Sequence, residues 1–271
     1  IFFLISISYF YSLTGFGKLL FNKTNNFFEL QLDGSIVLLL VGYIIYISIG
    51  INILLNCIIF FTGLLLFFFY KTNITAVKFD RILILFSLLF SVLLISKTHE
   101  DFNSYHFFSI SELFNNSLRI GISKLNIYFI HSSHLTLNQA LAIFPYLEFK
   151  IIHLPVFIIY LSTVGYFLNI LFSNTLKNNE LFFSLLCVFI LLVKFNRLSE
   201  FGYDYISQFI LLIVFHKIYF LNFNEFEIKK SILYFILCVL IKPISLLFLP
   251  IYLFILYKKG FVILKKIIIT K

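Results

Sequence analysis

The sequence predicts an all-α fold, a polytopic transmembrane helix bundle with about nine membrane segments. Three observations predict it. Of 271 residues, 61% are hydrophobic and only 12% charged, whereas a soluble domain carries about 25% charged residues. The mean hydropathy is +1.02. The apolar residues also gather in long runs whose ends carry the lysines, the arrangement expected of crossings with basic flanks. A soluble enzyme, a disordered chain and a disulfide-stapled secreted domain are all excluded by this composition.

The segments follow in order. Residues 1–21 form the first apolar run, interrupted by Gly15 and Gly17. Residues 35–70 are an unbroken run of 36. One helix of that length would extend about 54 Å, far beyond a hydrocarbon core of about 30 Å. Two crossings are therefore expected, turning near Gly50–Asn56. A short run at 82–96 precedes a polar stretch, 97–150, in which residues 134–144 read as a short interfacial helix. The runs 151–173, 180–195, 206–221 and 231–257 complete the chain. The last holds Lys242-Pro243 at its centre. Proline removes a helix hydrogen bond and lysine is costly in lipid, so this run reads as a hairpin of two short helices.

Residues 1–271 read as a single integral membrane domain. The chain contains no Met and begins at Ile1, so it is expected to be an internal piece of a longer product. The net charge of +9 does not point to nucleic acid, because the lysines lie at run ends and not along one stripe. Cys57, Cys187 and Cys238 lie in apolar runs without CxxC spacing, as inert buried thiols do.

Short basic loops are expected on the cytoplasmic side. Placing Lys71, Lys78 and Arg81 there puts Lys177, Lys229 and Lys230 there too, with Lys258 and Lys259 if 231–257 is a hairpin. The 97–150 segment, the 196–205 loop and Lys242 then share the outer face. Six of the twelve acids, Glu100, Asp101, Glu112, Glu148, Glu200 and Asp204, fall on that face.

The densest chemistry is KTHEDFNSYHF, residues 97–107, which holds His99, Glu100, Asp101, Tyr105 and His106. Adjacent carboxylates at a helix mouth can serve as a general base or bind a divalent cation. The plain alternative is a solvated loop at headgroup level. In NRLSEFGYDYISQ, residues 196–208, Arg197, Glu200 and Asp204 are spaced for one helical face, although Gly202 allows a turn instead. Arg197 suits a phosphate, or it simply pairs with Glu200. Lys242 could meet a lipid phosphate or snorkel to the interface. His131 and His134, at i and i+3, are weak metal ligands without an acid or Cys beside them. His153 and His216 read as interfacial or as satisfied within the bundle.

The order of short apolar helices, an acidic pair opening a long outer loop, interfacial helices, more crossings and a Lys-Pro break resembles the GT-C glycosyltransferases, notably bacterial members similar to dolichyl-phosphate mannosyltransferases. Glu100-Asp101 matches their acidic motif in kind, and Leu240-Ile241-Lys242-Pro243 is similar to their "tKp" stretch. The segment RLSEFGYD looks like one found in an uncharacterised bacterial subgroup. The resemblance covers residues 80–257. It departs from the family in having about four runs ahead of the acidic loop.

The resemblance implies transfer of a sugar from a polyprenyl-phosphate donor, on the outer face of a bacterial inner membrane, to an envelope glycan or lipid. Asp101 or Glu100 would be the catalytic base. The other carboxylate would bind a divalent cation, if the reaction uses one. Tyr105, His106, Arg197, Glu200, Asp204 and Lys242 would contact substrate. Membrane lipids and the lipid-linked donor are the implied partners, and nucleic acid is not. A transporter or flippase of lipid-linked saccharides, or a polymerase-like envelope protein, is the competing expectation.

Overall fold

The computed structural model describes residues 1–21, 24, 26–70, 79–94, 102, 106–119, 121, 124, 133–173, 177–200, 204–220 and 225–258. Within these residues the secondary structure is helical, without strands. The helices are α1 (Phe2–Leu20), α2 (Phe27–Ser48), α3 (Ile53–Tyr70), α4 (Phe79–Leu94), α5 (Phe107–Asn115), α6 (Leu135–Leu141), α7 (Leu154–Leu171), α8 (Asn178–Lys194), α9 (Asp204–Tyr219) and α10 (Glu225–Ile241). The last, α11 (Pro243–Lys258), opens as a 3-10 turn over Pro243–Phe248. Four helical stretches are long and apolar enough to cross a membrane: Phe2–Leu20, Phe27–Ser48, Ile53–Tyr70 and Glu148–Leu171.

The turn in the 35–70 run falls where the arithmetic of helix length requires. α2 ends at Ser48, Gly50 takes a φ of +81°, and α3 begins at Ile53. A positive φ costs glycine little, which is why the chain can reverse there. The Lys-Pro break is also present. α10 stops at Ile241, and Lys242 is extended at φ −145° and ψ 108°. α11 then returns along α10, because Tyr252 stacks on Phe235 at 4.8 Å and its hydroxyl lies 3.0 Å from Ser231 Oγ. That is a hairpin.

Two features differ from the sequence reading. α2 begins at Phe27, eight residues before the apolar run. Asn26 caps it by accepting a 3.0 Å hydrogen bond from the Phe28 amide, which satisfies one of the free N–H groups of the first turn. The helix thereby draws Glu29, Gln31 and Asp33 into the bundle, all three buried. The 134–144 segment, read as a short interfacial helix, is also packed inside the protein and not laid over its surface. Every residue of α6 is buried. Asn138 Nδ2 donates to the Ser35 carbonyl at 3.2 Å, and Gln139 Nε2 donates to the Ile152 carbonyl at 3.1 Å. The polar side chains of α6 are bonded inward to α2 and to the residue pair ahead of α7.

Glycines set the closest approaches. A Cβ on Gly17 or Gly34 would collide with the backbone of Leu30 or Leu13, so α1 and α2 meet main chain to main chain. Gly15 meets the backbone of Gly63 in the same way and brings α3 onto α1. Small residues play this role between membrane helices, where van der Waals packing drives association. Gly34→Leu is therefore expected to cost about 1–3 kcal/mol or more from overpacking alone. A thiol-reactive dye that meets Cys187 and Cys238 only on unfolding should show a lower melting midpoint in detergent. An unchanged midpoint would contradict the close α1–α2 contact.

Candidate functional site

The bundle has two chemically different ends. At one, which we call the loop end, lie α5, α6, the α2–α3 turn, the start of α7 and the α10–α11 turn. The His134 amide donates to the Leu240 carbonyl at 3.3 Å, tying the segment before α6 to the turn that carries Lys242. Leu118 donates to the Tyr46 carbonyl at 3.1 Å, and Asn56 Nδ2 donates to the carbonyls of Ala140 and Ile143 at 2.9 Å each. The Phe195–Glu200 turn is at this end too, where Phe195 lies 5.8 Å from the Tyr160 ring of α7. Burial pushes the His134 imidazole below its ordinary pKa, against the opposing effect of the Leu240 backbone.

The residues singled out in the sequence divide unevenly. Glu100, Asp101 and Tyr105 lie outside the described residues, as do His99 and His131. His106 is buried at the start of α5, and Arg197 is exposed in the Phe195–Glu200 turn. Lys242 is half-buried at the α10–α11 turn. Glu200 closes the Phe195–Glu200 turn and Asp204 opens α9, but their side chains are outside the description. Arg197, Glu200 and Asp204 thus do not share one described helix. Phe195–Glu200 form a 3-10 turn, and α9 starts afresh at Asp204. Among the described residues no group of three or more His, Cys, Asp or Glu side chains could hold a metal ion. Cys187 and Cys238 are free and buried, and Cys57 is free and half-buried.

The opposite end carries a charged node that no sequence motif marks. Helix-end chemistry assembles it. Acids occupy the first turns of α2 (Glu29), α8 (Glu180) and α10 (Glu225 and Glu227), while bases occupy the last turns of α1 (Lys18) and α9 (His216 and Lys217). Each charge complements its own helix dipole. The antiparallel packing then sets acid beside base. Lys217 Nζ lies 2.9 Å from Glu29 Oε2 and 2.7 Å from Glu227 Oε2. Lys230 Nζ pairs with Glu29 Oε2, stands 3.0 Å from Asp33 Oδ2, and donates to Thr24 Oγ1 at 2.9 Å. The Tyr234 hydroxyl donates to Asp33 Oδ1 at 2.7 Å.

Lys217, Lys230 and Asp33 are fully buried in this node. Lys18, also buried, is near enough to Lys230 for their charges to interact. Among the described residues, the acids Glu29, Asp33 and Glu227 pair with Lys217 and Lys230. The phenyl rings of Phe21 and Phe226 lie 5.5 Å and 5.9 Å from the Lys230 ammonium and help to replace its water. Beside the node, His216 bridges Tyr166 (2.8 Å) and Glu180 (3.1 Å), so it is satisfied within the bundle.

Lys230 is therefore no loop residue, as its place beside Lys229 suggested; it is the centre of the node. Two signals in the sequence could have found these residues. Glu29 and Asp33 stand at i and i+4, as do Lys230 and Tyr234. Lys217 also sits inside the 206–221 run as conspicuously as Lys242 does in its own.

No protein-family model, curated protein or solved structure matches this chain. The apolar helices long enough to span a bilayer make it a membrane protein.

Proposed function

We propose that the chain crosses a bacterial inner membrane about nine times and transfers a sugar from a polyprenyl-phosphate donor at the loop end, facing outward. Asp101 would be the general base, with Glu100 beside it as the alternative base or the ligand of a divalent cation. Tyr105, His106, Arg197, Glu200, Asp204 and Lys242 would bind donor and acceptor. The observation that carries this reading is the gathering at one end of three segments far apart in sequence. These are the α5–α6 segment that follows the acidic pair, the turn with Arg197 and the turn with Lys242. A phosphate-bearing lipid headgroup needs cations at membrane-surface level, and a base must lie close to the acceptor hydroxyl. A transporter of lipid-linked saccharides is the second reading. The buried charged node favours it, because ionisable residues inside a membrane bundle commonly mark transport paths.

The topology is tested by placing a cysteine at Ser104. A membrane-impermeant maleimide should label it in intact cells. Labelling only after permeabilisation would put the acidic pair in the cytoplasm and remove the outward-facing reaction. The transfer reaction itself is tested by labelled sugar leaving a polyprenyl-phosphate donor in membranes that carry the chain, with Asp101→Asn as the control.

A further inference from the structure

α2 and α3 are both long and apolar enough to cross the bilayer, so the turn between them lies at one membrane surface. The end of α5 and the residues after it stand against that turn. The Leu118 amide donates to the Tyr46 carbonyl at 3.1 Å, and a Cβ on Gly50 would lie only 3.1 Å from the Ser117 nitrogen. Between the two segments is a cavity of about 550 Å³, whose lining includes Gly50, Asn52, Leu54, Phe114, Asn116 and Ser117. Small-molecule sites ordinarily hold about 300–1,000 Å³.

One side of the cavity offers hydrogen-bond donors. Asn52 is exposed, and its Oδ1 accepts from the Leu55 amide at 3.0 Å, which leaves the amide nitrogen as the available end. Asn116 Nδ2 donates to Glu112 Oε2 at 2.8 Å, and Asn116 Oδ1 accepts from the Arg119 guanidinium. Arg119 is thereby held beside the cavity. It also stands 3.7 Å from Glu112 Oε1, but the arginine side chain is 60% exposed and the glutamate 18%. The cation is the partner that faces out, and a guanidinium has further N–H groups to give. Ser117, also exposed, adds a hydroxyl to the same lining. No acid occurs from Leu113 to Leu147, and no charge of either sign from Gly34 to Tyr70.

The other side is apolar. Ile49, Ile53 and Leu54 line the cavity and are exposed. From Leu54 the exposed residues of α3 continue as Ile58, Phe61, Leu65 and Phe68, spaced four and three apart on one helix face. A different face packs on α1, where Ser12 donates to the Phe60 carbonyl and Gly63 meets Gly15. The exposed stripe therefore faces lipid, and it runs from the bilayer interior up to the cavity.

We propose that the cavity seats the headgroup of a glycerophospholipid of the surrounding bilayer, with its phosphodiester on Arg119, Asn52 and Ser117 and an acyl chain along the α3 stripe. The phosphodiester supplies acceptor oxygens and one negative charge, which an outward-facing guanidinium favours. A free phosphate ester would use the donors and leave the stripe idle. A neutral lipid would use the stripe and leave the donors idle. The site goes beyond the sugar-transfer reading and does not rest on it, since neither Arg197 nor Lys242 lines the cavity.

The test is native mass spectrometry of the purified full chain in detergent, titrated with phosphatidylglycerol and read as the affinity of the first lipid bound. Arg119→Gln loses the charge-assisted bonds. Ser117→Leu puts bulk into the cavity and leaves the Arg119–Glu112 pair in place, so it serves if the first variant folds poorly. Either should weaken the first lipid about tenfold or more, while Lys258→Gln, at the end of α11, leaves it unchanged. Diacylglycerol with the same chains, and glycerol phosphate without chains, should each bind about tenfold more weakly than the phospholipid. Equal affinity in the wild type and both cavity variants would overturn the proposal and leave only unselective boundary lipid. Diacylglycerol or glycerol phosphate binding as tightly as the phospholipid would do the same, because half of the site would then be idle. Preferential retention of polyprenyl phosphate would also overturn it, by giving the cavity to the sugar donor.

Discussion

Asp101→Asn is expected to reduce sugar transfer about 10²–10⁴-fold, the usual consequence of removing a positioned general base. The asparagine keeps the shape of the side chain but cannot take the acceptor proton at neutral pH. Glu100→Gln separates the two carboxylates. If Glu100 is the base, the large loss moves to that variant, and Asp101→Asn retains most of the activity. Both variants should insert and accumulate normally, because the acidic pair follows the end of α4 and lies outside the apolar runs. The measurement is transfer from the lipid-linked donor in membranes, with surface glycan in a complemented deletion strain as the cellular readout. Full activity in both single variants and in the double variant would make the pair a solvated loop and leave the transporter as the better reading.

Lys230→Met is expected to lower stability by about 3–5 kcal/mol, the range for breaking a buried ion pair by removing one partner. Without the ammonium, the partners left among the described residues are the Tyr234 hydroxyl for Asp33 and Lys217 for Glu29. Two carboxylates would remain in a bundle that has lost the cation between them. The adjacent Lys229→Met is the contrast. Lys229 is half-exposed and pairs with Glu225, four residues earlier on the same helix, a contact that contributes about 0.2–0.5 kcal/mol. Thermal denaturation in detergent should therefore separate two neighbouring lysines that are indistinguishable by composition. Equal midpoints for the two variants would mean that the node adds nothing to the stability of the bundle.

The sites differ in how legible they were. The loop-end candidates were visible because they interrupt apolar runs or crowd several titratable groups into a short stretch, as His99, Glu100, Asp101, Tyr105 and His106 do. The node was not visible in that way. Its members are single residues from helices far apart in sequence, and Glu29 and Lys230 are separated by 201 positions. Each could be taken for an ordinary basic or acidic flank of its own helix. The polar surface of α6 was visible, but its direction was not, since Asn138 and Gln139 serve equally well at an interface or against buried carbonyls.

The sequence by itself determined that the chain is helical and built for a membrane. Length, hydropathy and the scarcity of charge leave no other way to satisfy the backbone in lipid. It also determined where the chain must turn, near Gly50–Asn56 and at Lys242-Pro243, because helix rise against bilayer thickness and the missing proline N–H are local constraints. Only the tertiary structure decided which charges are buried and which helix is swallowed by the bundle. Burial of an ion depends on whether a counter-ion arrives from another helix, and partners of that kind are chosen by packing and not by any neighbour in the chain.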